Sequence, residues 1–237
     1  MSPSEEHDRP FDNAKQLVER ILATRFFAGA QAVIPAIWRP SRAAHPLVVV
    51  VGENASGKSF FRRCVYEMSR RSKIECLHIS MEGRTAGYNM LRSFIYGAED
   101  YEATVINSIR TVLSGIKTSQ SREVAHTLVW DEPDLGLSEG NAASVGARIA
   151  MLADEPPKQL RAALVMTHRK ALVQALIAAS PTPPHYLYLG DASGAPDVHT
   201  WLAAPPILRP LEEVVRAGAD RFQAIQRLLD RNKKKLR

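Results

Sequence analysis

Residues 47–59 read Leu-Val-Val-Val-Val-Gly-Glu-Asn-Ala-Ser-Gly-Lys-Ser, an apolar run that leads directly into the pattern G-x-x-x-x-G-K-S. No other stretch constrains the fold as tightly. A continuous apolar run of this length is a strand buried on both faces, which requires a sheet covered from both sides. Gly52 and Gly57 permit backbone conformations that a side chain would obstruct, so successive N–H groups can curl around phosphate oxygens. Ser59 opens the helix that follows, and a helix N-terminus carries partial positive charge. The stretch therefore predicts a strand, a P-loop and a helix. Gly52, Glu53, Asn54, Ala55, Ser56, Gly57, Lys58, Ser59 and Phe60 are its candidate ligand-binding residues. The chemistry suits a nucleoside triphosphate, with Lys58 on the β- and γ-phosphates and the Ser59 hydroxyl on Mg²⁺.

The rest of the chain repeats the strand–helix alternation. Leu17, Val18, Ile21, Leu22 and Phe26 recur at helical spacing across residues 11–27, with Asp12 or Asn13 available as a cap. Pro35, Pro40 and Pro46 punctuate a linker or short edge strand. Further strands are predicted at Glu75–Ser80, Ala125–Trp130, Ala162–Thr167 and His185–Leu189. Helices are predicted at 59–70, 101–116, about 140–152, 170–179 and 211–229, the second with Val105, Ile109, Val112 and Leu113 on one face. Such alternation builds an α/β three-layer sandwich around a mostly parallel sheet, here of about five or more strands. We read residues 1–10 as a disordered leader, 11–230 as one domain with a reduced helical insert at 82–122, and 231–237 as a basic tail.

Ligands in sheets of this kind bind beyond the carboxyl ends of the strands. The strand ending at Trp130 runs into Asp131-Glu132-Pro133-Asp134. Asp131 suits a metal anchor opposite Ser59, and Glu132 suits polarising a water for attack on a γ-phosphate. The strand ending at Thr167 runs into His168-Arg169. An additional-strand order would insert it beside the P-loop strand, bringing Thr167 and His168 to the γ-phosphate. The candidate catalytic residues are thus Glu132, Lys58 and His168, and the candidate metal ligands Ser59 and Asp131.

In order and spacing, these motifs resemble those of ABC-type P-loop ATPases across about residues 47–170. Asp131-Glu132-Pro133-Asp134-Leu135-Gly136-Leu137-Ser138 looks like their Walker B segment and D-loop, and Thr167-His168 like their switch histidine. The resemblance implies an ABC/RecA-like strand order, ATP and Mg²⁺ as ligands, and ATP held between two such domains. Soluble members of this kind serve in DNA repair, chromosome maintenance and antiphage defence. The chain departs from the pattern in four places, the first being a short segment between the second strand and Asp131-Glu132. Met81-Glu82 stands near where a Q-loop glutamine belongs, Leu113-Ser114-Gly115 is all that matches a signature motif, and Ser138 replaces an aspartate. Trp38, upstream of the P-loop, is a candidate for stacking on adenine or a core tryptophan, and Arg84 and Arg92 are candidate phosphate contacts.

Composition narrows the partners. Lysine and arginine exceed aspartate and glutamate by 31 to 25, giving a net charge of +6. The positive residues cluster at Arg62, Arg63, Arg70, Arg71 and Lys73, and again at Arg231, Lys233, Lys234, Lys235 and Arg237. Either cluster is a solvated surface or a contact for nucleic acid or an acidic protein. Two cysteines without metal spacing, a polar N-terminus and no long apolar run suggest a cytoplasmic protein without a membrane span. Three functions remain open: a hydrolase driving a separately encoded partner, a binding switch with little turnover, and a small-molecule or nucleotide kinase.

Overall fold

The computed structural model describes residues 9–80, 104–190, 197–206 and 208–235. Two short helices open the chain, α1 (Ala14–Ala23) and α2 (Arg25–Ala30). Asn13 is the cap, its side chain accepting from the Gln16 amide. The single helix expected over 11–27 breaks at Thr24, whose hydroxyl oxygen accepts from the Phe27 amide and so starts a second helix. There follow β1 (Ala36–Arg39), β2 (Leu47–Val51), α3 (Lys58–Arg71), β3 (Glu75–Ser80), α4 (Thr104–Gln120) and β4 (His126–Asp131). The chain continues through α5 (Glu139–Asp154), β5 (Leu160–Thr167), α6 (Lys170–Ala179), β6 (His185–Leu189), α7 (Val198–Ala203) and α8 (Leu211–Lys235).

The six strands lie in the order β1-β6-β2-β5-β4-β3. Only β1 is antiparallel, pairing along the edge with β6. β5 sits between β2 and β4, pairing Val51 with Thr167 on one side and Asp131 with Met166 on the other. This is the additional-strand arrangement, and it carries the ends of β2, β4 and β5 to one edge. The fold is a P-loop NTPase sandwich.

Both faces of the sheet are covered, as the unbroken burial of β2 requires. Val48 and Val50 turn toward a core shared with Leu17, Phe27, Phe61 and Val65, while Leu47, Val49 and Val51 turn toward one shared with Val112, Ile149, Leu172 and Trp201. The strand's two-residue period divides them. On the second face, α5 and α6 pack closely at Gly146, where a Cβ would meet the Leu172 carbonyl oxygen at 2.2 Å. In α4, Val112 and Ile116 are buried, but Leu113, expected beside Val112, is 42% exposed. Consecutive helical residues point about 100° apart, and here Val112 turns into the core while Leu113 falls at the edge of the buried face.

α8 extends beyond the expected 211–229, and residues 231–235 of the basic tail are its last turns rather than a separate coil. Ile225 and Leu228 rest against the core of the α1–α3 face. The leader (residues 1–8), Met81-Glu82, Arg84 and Arg92 lie outside the described residues, as does the insert from 82 to 103. No helix among the described residues is long and apolar enough to cross a membrane. Cys64 and Cys76 are free, and burial pushes their thiols up to about 12 and about 11.

Candidate functional site

The loop after β2 is shaped by close approach. A Cβ on Gly52 would lie 2.2 Å from the Leu189 carbonyl oxygen and 2.5 Å from Ser56 Oγ. Gly57 has φ +108, open to glycine but costly for other residues, and it begins α3 without a side-chain cap. The first amides of α3 are therefore left to face a ligand at the mouth of the loop. Ala55 also holds a positive φ, +60, at the tip. Ser56 Oγ is buried and has no hydrogen-bond partner, which suits a cradle whose remaining polar contacts come from phosphate oxygens.

Lys58 Nζ donates to the carbonyl oxygens of Gly52 at 2.7 Å and Glu53 at 2.9 Å. Burial holds its pKa below the usual lysine value, opposed by the charges of Glu132, Asp131, Asp134 and Glu53. A dehydrated ammonium gives up little hydration on meeting a phosphate, so its charge acts there at close to full strength. Ser59 is exposed in the first turn of α3. The Phe60 side chain is buried against the rings of Phe26 and Phe27, with centroids 5.2 Å and 6.2 Å away, which leaves only its backbone amide for a ligand. Glu53, Asn54 and Ala55 are exposed on the loop.

At the end of β4, Asp131 is 6% exposed and ion-paired with Arg62 of α3. Burial pushes its pKa up and the Arg62 charge pulls it back. Glu132 follows with φ +50, a left-handed conformation that is uncommon for a residue with a side chain. Its amide donates to the Met166 carbonyl at 2.8 Å, and its Oε1 lies 3.3 Å from His168 Nδ1. The hydrogen bond from His168 is the main reason its pKa lies below the usual carboxylate value, and the Lys58 charge adds to it. The structure thus pairs two of the sequence-predicted residues directly. A group depressed in this way stabilises the fold at neutral pH, and that contribution fades as pH falls through the lowered value.

Three candidate roles find no support in this geometry. Thr167 does not face a γ-phosphate: it is fully buried, donating to Asp134 Oδ1 at 2.8 Å and accepting from the Arg169 amide at 2.9 Å. Trp38 packs its ring on His185, 5.5 Å between centroids, at the opposite end of β6 from the P-loop, which removes it as an adenine platform. Leu113-Ser114-Gly115 lies inside α4. A Cβ on Gly115 would stand 2.0 Å from Ile79 Cδ1 and 3.3 Å from Trp130 Nε1, so this glycine lets the helix approach the sheet. Ser138 caps α5, accepting from the Asn141 amide.

Sequence reasoning missed four residues that shape the site. Asp134 is 1% exposed and binds Thr167 together with Arg169, whose Nε lies 3.1 Å away and whose Nη1 reaches the Leu137 carbonyl at 3.0 Å. This network fixes the turn after Glu132 to the end of β5. Asp134→Ala should cost about 3 kcal/mol, since removing one partner strands the other charge, here partly relieved by solvent. Urea unfolding should show a lower midpoint with an unchanged slope. Arg209 and Arg221 come from the C-terminal segment: Arg209 pairs with Glu53 at 3.0 Å, and Arg221 donates to the carbonyls of Val33 at 3.1 Å and Ala55. No local sequence signal marks these contacts. Arg62, the fourth, stood in the sequence only as one of a basic cluster, and its partner Asp131 lies far along the chain.

The donors near the phosphate cradle suit a hard divalent cation. The Ser59 hydroxyl and Asp131 carboxylate are oxygen ligands of the kind Mg²⁺ takes alongside phosphate and water. Among the described residues no group of three or more His, Cys, Asp or Glu could hold a metal by protein ligands alone.

No family model matches the chain, and the comparison with curated proteins returned no match. Among solved structures it is similar to the crystal structure of Cdc6p from Pyrobaculum aerophilum, at 13% sequence identity and a TM-score of 0.34. The likeness covers 78% of this chain and 52% of that one, so the chain spans about half the length of that structure. The sheet order together with the loop at 52–59 defines the class, a P-loop NTPase fold.

Proposed function

We propose that this chain is an ABC-like ATPase that binds Mg-ATP at 52–59 and hydrolyses it to drive or switch a separately encoded protein partner. The observation that carries the reading is the Glu132–His168 pair, set at the sheet edge beside the phosphate cradle. Lys58 and the loop amides hold the phosphates. Ser59 and Asp131 would hold Mg²⁺, which neutralises phosphate charge when bound. Glu132 orients the attacking water and accepts its proton, and His168 aims the Glu132 carboxylate while presenting its ring to the γ-phosphate.

A kinase would have to keep water away from the γ-phosphate. An ionised Glu132 beside it favours hydrolysis, so phosphate release from ATP without any acceptor is the deciding test. Strict dependence on an added hydroxyl acceptor would replace the hydrolase reading with the kinase one. The sandwich dimer implied by ABC resemblance gains no support from Leu113-Ser114-Gly115, whose glycine is taken up by packing. The mass of the Glu132→Gln protein with ATP tests that dimer separately.

His168 also sets the pH range of turnover. Because its hydrogen bond lowers the Glu132 pKa from 4.5, the acid limb of the kcat profile should lie below the ordinary carboxylate range. In His168→Ala that limb should move upward. An unmoved limb would show that His168 does not tune the base.

A further inference from the structure

Arg62 follows Ser59 by three residues and Lys58 by four, so the three side chains leave α3 on one face. That face looks onto the end of β4, where the Arg62 guanidinium binds Asp131 Oδ2. Only 20% of the Arg62 side chain and 8% of the Asp131 side chain are exposed, so water screens this pair poorly. The carboxylate best placed to anchor a divalent cation is thus already neutralised by a cation from its own chain.

We propose that Arg62 sets the metal requirement of the site: it competes with the divalent cation for Asp131, and loading Mg-nucleotide requires release of the Arg62–Asp131 ion pair. The inference rests on reading 52–59 as the nucleotide site and Asp131 as its metal anchor. An arginine does not lose its proton in a protein, so the metal gains Asp131 by displacing the guanidinium and not by its deprotonation. Mg²⁺ demands close, near-octahedral oxygen contacts, and a guanidinium on the same carboxylate opposes it both sterically and by like charge. The displaced guanidinium remains on the helical face of Lys58 and Ser59, beside the phosphates. Phosphate binding therefore draws off the cation that blocks the metal. A metal that must displace a competitor shows an apparent affinity reduced by the strength of the competing contact.

The test uses the full chain carrying Glu132→Gln, which removes turnover from the readout. Binding of a fluorescent ATP analogue is followed against Mg²⁺, and metal affinity is read directly from the electron paramagnetic resonance of Mn²⁺. Arg62→Met keeps the stem and removes the charge, and should lower the half-saturating metal concentration about tenfold. In an Asp131→Asn background the same change should leave the half-saturating metal concentration unmoved, because the contested carboxylate is gone. Arg62→Lys retains a charge without the planar fork and should fall between Met and the parent, which provides the measurement if Arg62→Met does not fold. An unchanged metal curve in the folded variant, or a shift to higher metal, overturns the proposal. Failure of the Glu132→Gln parent to bind the analogue at any metal concentration would instead overturn the nucleotide reading beneath it.

Discussion

Glu132→Gln should retain ATP binding and lose hydrolysis by on the order of 10²–10⁴-fold, the usual contribution of a positioned general base. The substitution keeps the shape of the side chain and one carbonyl oxygen but removes the charge that orients and deprotonates water. The backbone at this position is held independently of the side chain, through its amide on Met166 and the Asp134 network that follows. The loss should therefore appear in kcat, with nucleotide affinity little changed. Phosphate release and titration of a fluorescent nucleotide measure the two halves. Hydrolysis at the parental rate would move the base elsewhere, and parallel loss of binding would make Glu132 a ligand contact rather than a catalytic one.

Much of this arrangement is visible in local sequence, and the parts that are not have a common cause. Glu75–Ser80, Lys170–Ala179 and His185–Leu189 take the limits expected of them because sharp changes in polarity, or prolines, bound each segment. The P-loop announces itself because its glycines, lysine and serine are consecutive and the apolar strand abuts them. Thr24 shows a local failure: the apolar periodicity runs past it, but one hydroxyl contact ends one helix and begins another. Thr167 and Asp134 fail differently. They lie 33 residues apart, so nothing near either one shows that Thr167 is committed to a buried carboxylate. Arg62 looked like part of a solvated basic face, and only the packing of α3 against β4 reveals its acidic partner. The left-handed backbone of Glu132 has no signature in residue type at all.

Lys58→Ala should weaken nucleotide binding by roughly 10²–10³-fold, the equivalent of losing two charge-assisted contacts to phosphate. The effect is large because Lys58 is 7% exposed and already dehydrated, so little of its attraction for a polyanion is spent on water. The same side chain bonds the Gly52 and Glu53 carbonyls, which raises a second explanation, collapse of the loop itself. The two are separable. Gly52 and Gly57 let the loop pass where a Cβ would collide with Leu189, Ser56 and Ile34, a fit that does not involve Lys58. Thermal unfolding without nucleotide should thus shift only slightly in Lys58→Ala, while the stabilisation gained on adding ATP should vanish. If the variant keeps that nucleotide-dependent stabilisation, the phosphates lie somewhere other than this loop. The roles given to Ser59, Asp131 and Glu132 around them would then go as well.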